Sequence, residues 1–306
     1  MAECQNEDWD ITNRPHTKTK VQLLNAYIES WFTIWLAQYK KHPGWLDKKM
    51  IIVDLFAGTG KYFENGKVVH GSPLIFLKHA QKQIDKIRIN NLKIEFYFVE
   101  ENLANYQCLA ENVNEFLERL DPETKSRFVC NVFHGDCHEI YQNKILDPLN
   151  RYKKSPLFLF VDPYGIKIDN KMLLDFMSLP HKKDILFNFI TMGVQRVKGA
   201  VMNQGEDPTK LRSTLSKFLG KEDLDLDQNV RKVLEQFAEN TFGDNNFNVI
   251  VYDMPYPKRK GELYHLLLAT KNPKIIDVAE KLFARIKKAR QPSLFDPEFQ
   301  KFQASR

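Results

Sequence analysis

The chain has 306 residues, 45 Lys and Arg against 39 Asp and Glu for a net charge of +6, and 43 % hydrophobic residues. That balance excludes an intrinsically disordered chain, and no run of about 18 apolar residues is present to span a bilayer. The length fits one large α/β domain with an insertion, or a domain plus a small accessory.

Residues 1–16 read as a polar arm. From Thr19 to Tyr39 the apolar positions Leu24, Tyr27, Ile28, Trp31, Ile34 and Trp35 recur at helical spacing, which predicts a long helix with one buried face. His42-Pro43-Gly44 ends it. Met50 to Phe56 is a short apolar run rich in β-branched residues, followed at once by Ala57-Gly58-Thr59-Gly60. A strand buried on both faces and ending in a glycine turn has this pattern. Tyr62 to Gln83 then reads as an inserted loop, within which Gly71-Ser72-Pro73-Leu74 opens a helix with Ser72 as its cap.

Further strands are expected at Ile94–Val99, Phe128–Phe133, Leu157–Val161 and Asp184–Ile190, with helices from Asn102 and around His138. Val249–Tyr252 and Leu263–Thr270 read as an antiparallel hairpin. Residues 193–245 have a helical pattern too long for a plain crossover and read as an inserted helical subdomain. Residues 17–192 and 246–285 would form the main domain, and 286–306 a C-terminal tail. Alternating strands and helices imply right-handed βαβ units and a mainly parallel sheet. Seven strands, the last two a hairpin, give the Rossmann-like arrangement of class I methyltransferases. An open doubly wound sheet binding a dinucleotide competes with it.

The motifs decide between them. In Asp54-Leu55-Phe56-Ala57-Gly58-Thr59-Gly60 the glycines let backbone approach a ligand beside a helix N-terminus. A P-loop is disfavoured because Leu55 and Tyr62 stand where it needs Gly and Ser or Thr, and a dinucleotide fingerprint because position 63 is Phe. Asp-x-Phe-x-Gly-x-Gly instead resembles the first motif of S-adenosylmethionine enzymes. The candidate cofactor residues are therefore Asp54, Phe56, Ala57, Gly58, Gly60, Tyr62 and Ser72, with Glu100 at the second strand end placed for ribose hydroxyls. Asp136 and Cys137, after the third strand, stand where an adenine amino group would be received. Cys130, His134, Cys137 and His138 match no zinc spacing, so no metal is expected.

Asp162-Pro163-Tyr164-Gly165 follows the fourth strand. An exocyclic base amine is a poor nucleophile because its lone pair is delocalised into the ring. A carboxylate and a carbonyl accepting its two N–H bonds would localise the pair and stabilise the positive charge that develops. Asp162 and Pro163 can supply these acceptors, and Tyr164 a face for stacking the base.

Taken together, residues 16–285 resemble the three-Cys-motif partner (TcmP) proteins. The likeness rests on His16-Thr17-Lys18-Thr19-Lys20, Asp54 to Tyr62, Gly71-Ser72-Pro73-Leu74, Phe98-Val99-Glu100, Gly135-Asp136, Val161 to Gly165, Leu186-Phe187-Asn188-Phe189 and Gly261 to Thr270. It implies a methyltransferase fold, S-adenosylmethionine as cofactor, and a radical-SAM-type protein with a three-cysteine motif as partner. The Asp162 motif is similar to the Asp-Pro-Pro-Tyr of adenine-N6 methyltransferases with one proline missing, and closer to the Asp-Pro-Phe-Gly of tRNA guanine-N2 enzymes.

The expected function is methyl transfer to an exocyclic amine of an RNA or DNA base. The alternatives are an accessory subunit that binds nucleic acid for its partner, and a protein or small-molecule methyltransferase. Lys18 and Lys20, before the sheet, could approach the cofactor carboxylate or a phosphate. Four cysteines make no disulfide framework and the N-terminus has no signal-peptide pattern, so reduced thiols and a cytoplasmic location are expected. Residues 281–306 carry seven cations against two acids, a candidate nucleic-acid contact. Gln291-Pro292-Ser293-Leu294-Phe295 reads as an extended tail that covers a groove on its own domain, or as a peptide resembling those that dock on the DNA sliding clamp.

Overall fold

The computed structural model describes residues 10–12, 15–202, 208–222, 229–243, 247–255 and 262–290. Five parallel strands build the centre: β1 (Lys49–Asp54), β4 (Lys93–Glu100), β5 (Phe128–His134), β6 (Pro156–Val161) and β7 (Lys182–Phe189). A small hairpin of β2 (Lys61–Glu64) and β3 (Lys67–His70) stands apart, and β8 (Asn248–Pro255) and β9 (Glu262–Thr270) complete the main sheet. Its order is β5-β4-β1-β6-β7-β9-β8, with β9 antiparallel to both its neighbours. That is the sheet of the class I methyltransferase fold. The chain runs outward from β1 through β4 to β5, then returns to place β6 on the other side of β1. Such a reversal opens a crevice at the carboxyl ends of the strands.

Successive side chains of a strand point to opposite faces, and here both faces are covered. Met50, Ile52, Phe96, Phe98, Phe158 and Phe160 meet α1 (Pro15–Lys41), α2 (Ser72–Lys82), α4 (Leu103–Glu118) and α12 (Pro273–Arg290). Ile51, Val53, Tyr97, Leu159, Phe187 and Phe189 meet the helices on the second face. There lie α6 (Cys137–Ile140), a π-helical turn Tyr141–Ile145, α7 (Leu146–Arg151) and α8 (Asn170–Ser178). The short α3 (Ile84–Ile89) and α5 (Pro122–Arg127) precede β4 and β5.

The first helix is pinned at its middle. The Trp31 and Trp35 indole N–H groups donate to Asp184 Oδ2 at 2.9 and 3.3 Å, and the Thr270 hydroxyl donates to Oδ1. Three donors allow a carboxylate to sit fully buried between α1, β7 and β9.

Three sequence expectations change. The stretch after Tyr62 is not a plain loop but the β2–β3 hairpin, turned by Asn65 (φ 49) and Gly66 (φ 73). Two positive φ values in a row make the type I′ turn that an Asn-Gly pair favours. Ile11, assigned to a polar arm, is buried, and its N–H donates to the Phe63 carbonyl at 2.7 Å. The helices between β7 and β8 are α9 (Thr191–Met202), α10 (Pro208–Leu219) and α11 (Val230–Phe242). Rather than enclosing a core of their own, they send Phe218 and Phe237, stacked at 5.4 Å, into the second-face core.

Candidate functional site at the carboxyl edge of the sheet

Asp54 is the last residue of β1 and wholly buried. Its Oδ1 accepts from the Phe56 N–H at 3.2 Å, while Oδ2 has no hydrogen-bond partner among the described residues. Burial pushes its pKa up to about 7; the Ser72 hydroxyl and the Phe56 N–H oppose the rise, and the charges of Asp162 and Glu100 add to it. Three carboxylates, from the ends of β1, β4 and β6, therefore lie near enough at this edge to feel one another's charge.

The glycine turn spans the gap between the strands beside β1. The Leu55 N–H donates to the Phe160 carbonyl at 3.3 Å and the Ala57 N–H to the Val99 carbonyl at 2.9 Å. Gly60 has φ 79, and its carbonyl receives the Gly71 N–H at 2.8 Å. A Cβ on Gly71 would lie 3.0 Å from the Gly60 carbonyl, so Gly71 lets backbone pass backbone, while Gly60 is required by its positive φ. Buried Asn112 of α4 holds the turn from behind, donating to the Thr59 carbonyl at 2.8 Å. Phe56 is half-buried there, and Ala57 and Gly58 are buried.

Glu100 braces the turn from the other side. Its Oε2 accepts from the Gly58 N–H and its Oε1 from the Asn102 N–H, both at 2.9 Å. Ser72 is buried near Asp54, but it is the first residue of α2 and not its cap; Gly71 holds that position. Tyr62 lies on β2 opposite Val69, in the hairpin.

At the end of β5, Asp136 caps α6, its Oδ1 accepting from the His138 and Glu139 N–H groups at 2.8 and 3.2 Å. The Asp169 N–H donates to His138 Nε2 at 2.9 Å, so Nδ1 carries the proton and faces Asp136 Oδ1 at 3.2 Å. Burial pushes the Cys137 thiol up to about 12. Asp136, Cys137 and His138 offer ligand atoms close together. Yet His138 spends both ring nitrogens within the fold and Cys137 is held as the thiol, a poor donor set for a metal ion.

The fourth-strand motif is organised differently from expectation. Asn188 Nδ2 donates to Asp162 Oδ1 at 2.7 Å, and Lys20 pairs with Oδ2. Lys20 reaches in from α1 and lies 5.8 Å from the Tyr264 ring centroid. It does not stand free for a cofactor carboxylate, and Lys18 pairs with Glu64 at 2.6 Å. Asn188 turns its amide nitrogen to the carboxylate, which leaves Oδ1 buried without a donor among the described residues. Pro163 is buried, Gly165 turns at φ 87, and Tyr164 between them is 93 % exposed. Asn188 and the pairing of Lys20 are what the sequence reading missed; a lone Asn inside the apolar run Leu186–Phe189 was the available signal.

Cys130 is half-buried and Cys137 buried, and both are free thiols. The segment Gln291–Phe295 and most of the basic C-terminal stretch lie outside the described residues. No helix among the described residues is long and apolar enough to cross a membrane.

No protein family model matches the chain, and no curated protein does. Among solved structures it is similar to the methyltransferase domain of a bacterial CtHen1, with 13 % identity over 81 % of this chain and 99 % of that one and a TM-score of 0.37. It is similar to the small RNA methyltransferase HEN1, with 12 % identity over 78 % of this chain and 25 % of that one, TM-score 0.39. The DszA carbon methyltransferase gives 11 % identity over 80 % of this chain and 53 % of that one, TM-score 0.40. Likeness at this level says nothing of this chain's substrate.

Proposed function

We propose that this chain is an S-adenosylmethionine-dependent methyltransferase whose acceptor is an exocyclic amine of a nucleic-acid base. The observation that carries the reading is the pair formed by Asp162, held by Asn188, and the exposed Tyr164 two residues on. A base drawn out of its strand would stack on Tyr164 and direct its amine to Asp162 and the Pro163 carbonyl.

The cofactor fits the residues at the end of β1. The unpartnered Asp54 Oδ2 wants a donor, and the positive φ of Gly58 (61) and Gly60 (79) supports close approach of backbone. When bound, the cofactor supplies an activated methyl group on a sulfonium. Asp54, the backbone from Phe56 to Gly60, Ser72 and Glu100 would hold it, with Tyr62, Asp136 and Cys137 at the margins. Asp162 accepts an N–H of the incoming amine and stabilises the charge that develops there. The radical-SAM-type partner follows from the TcmP resemblance and stands or falls with it.

One observation favours the accessory reading instead: Lys20 already fills Asp162 Oδ2. The two readings part in one experiment. Purified protein is incubated with methyl-labelled cofactor and separate RNA, DNA and protein pools, beside calorimetry of cofactor binding. Binding weakened by Asp54→Ala, Gly58→Val and Glu100→Ala, with label in a nucleic-acid pool, supports the enzyme. Absence of cofactor binding by the wild type removes it.

A further inference from the structure

We infer that the opposite edge of the sheet, at the amino ends of its parallel strands, is a docking surface for single-stranded nucleic acid. β1, β4, β6 and β7 start at this edge and the antiparallel β9 ends there. Lysines mark each position: Lys48 and Lys49 at β1, Lys93 at β4, Lys153 and Lys154 before β6, Lys182 and Lys183 at β7, Lys271 after β9. In the register Lys49 stands beside Lys93 and Lys182 beside Pro156, so the lysines form a row across five adjacent strands. At about 4.8 Å between strands that row spans about 19 Å, the reach of a few nucleotides. The segments 40–49, 90–93, 151–155, 179–183 and 271–274 together hold twelve Lys and Arg and one acid, Asp47.

Some of these cations are spent. Lys49 pairs with Glu95, and Lys183 Nζ donates to the Phe176, Met177 and Leu179 carbonyls at the end of α8. Lys40 and Lys41 complement the carboxyl end of the α1 dipole. Lys93, Lys153, Lys154, Lys182 and Lys271 remain, all exposed and without an ion pair among the described residues.

A cavity of about 420 Å³ opens at the β7–β9 end of this row, lined by Trp35, Trp45, His181, Lys182 and Lys271. Trp45 is 48 % exposed, with Lys182 Nζ 5.7 Å from its ring centroid. His181 is buried, its ring beside the Leu149 and Tyr152 backbone. A cation row that tracks phosphates, beside an exposed aromatic face, is what single strands bind. The surface lies roughly 20 Å from Asp162, one strand length away, so this inference does not rest on the methyl-transfer reading.

The test is fluorescence anisotropy of a labelled oligouridine against the full chain, without cofactor. For the wild type, log affinity falls with log salt by about 0.7 for each phosphate neutralised. The triple variant Lys153→Gln, Lys182→Gln, Lys271→Gln loses tenfold or more at low salt, and its slope flattens by about 2. Trp45→Ala loses about tenfold and keeps the slope. Lys67→Gln, Lys144→Gln and Lys232→Gln together change neither. The single Lys182→Glu serves if thermal melts show the triple variant unfolded. Wild-type binding that survives these lysine changes overturns the proposal. So does no binding by the wild type, or lysine-dependent capture by phosphatidylserine vesicles with no oligouridine bound.

Discussion

Asp54 is wholly buried, and one carboxylate oxygen has no partner among the described residues. Its pKa rises from 3.8 to about 7, so between those values the folded state holds a proton that the unfolded state has released. Stability therefore falls as pH rises through that window and stays low above it. Asp54→Asn is expected to raise Tm by roughly 2–4 °C for each kcal/mol relieved, at about pH 8 and much less at about pH 4, while weakening cofactor binding. Scanning calorimetry at both pH values checks it, and a lower Tm at high pH would show that Asp54 is a structural acceptor. Asp162 calls for a different signature. Asp162→Ala is expected to abolish methyl transfer and leave cofactor binding largely intact, and equal loss of both would move it into the cofactor site. Tyr164→Ala is expected to cost about 1–3 kcal/mol in nucleic-acid binding and Tyr164→Phe less, read by titration. That Asp54, Glu100 and Asp162 stand at the carboxyl ends of strands was legible from residue types and order. That Lys20 from α1 meets Asp162 was not, because a contact spanning 142 positions depends on how α1 crosses the sheet.

Elements differ in how much local signal they carry. The long α1 repeats its apolar stripe over many turns and announces itself. The strands of the β2–β3 hairpin are four residues each, too short to display alternation, and only Asn65-Gly66 marks them. Gly66 has φ 73, and nothing lies within 4 Å of a Cβ built there. Gly66→Ala should therefore cost only the backbone strain, about 1 kcal/mol. The α1 anchor is a harder test. Asp184→Ala would leave two indole N–H groups and a hydroxyl in the core without their acceptor. A loss of about 3–5 kcal/mol by denaturant titration is expected, against about 1 for Trp31→Phe, which removes a single donor. If Asp184→Ala cost no more than Trp31→Phe, α1 would be held by apolar contact alone.

Across the whole molecule, the sheet is the shared wall of two cores, and the helices after β7 decide whether it unfolds as one body. Their helical periodicity was legible, but periodicity does not tell what a helix packs against, so residues 193–245 read as a subdomain. The structure puts Phe237 of α11 5.1 Å from Phe187 and 5.2 Å from Phe189, ring centroid to centroid, both on β7. On the other face of the same strand, Asp184 receives Trp31 and Trp35. One strand thus links α11 to the tryptophans. Phe237→Ala removes a fully buried ring and should cost about 3–5 kcal/mol. If the helices belong to the main body, the indole fluorescence and the helical circular dichroism shift together, in one transition moved to lower denaturant. An independent helical unit would lose its circular dichroism first and leave the Trp31 and Trp35 signal at the wild-type midpoint.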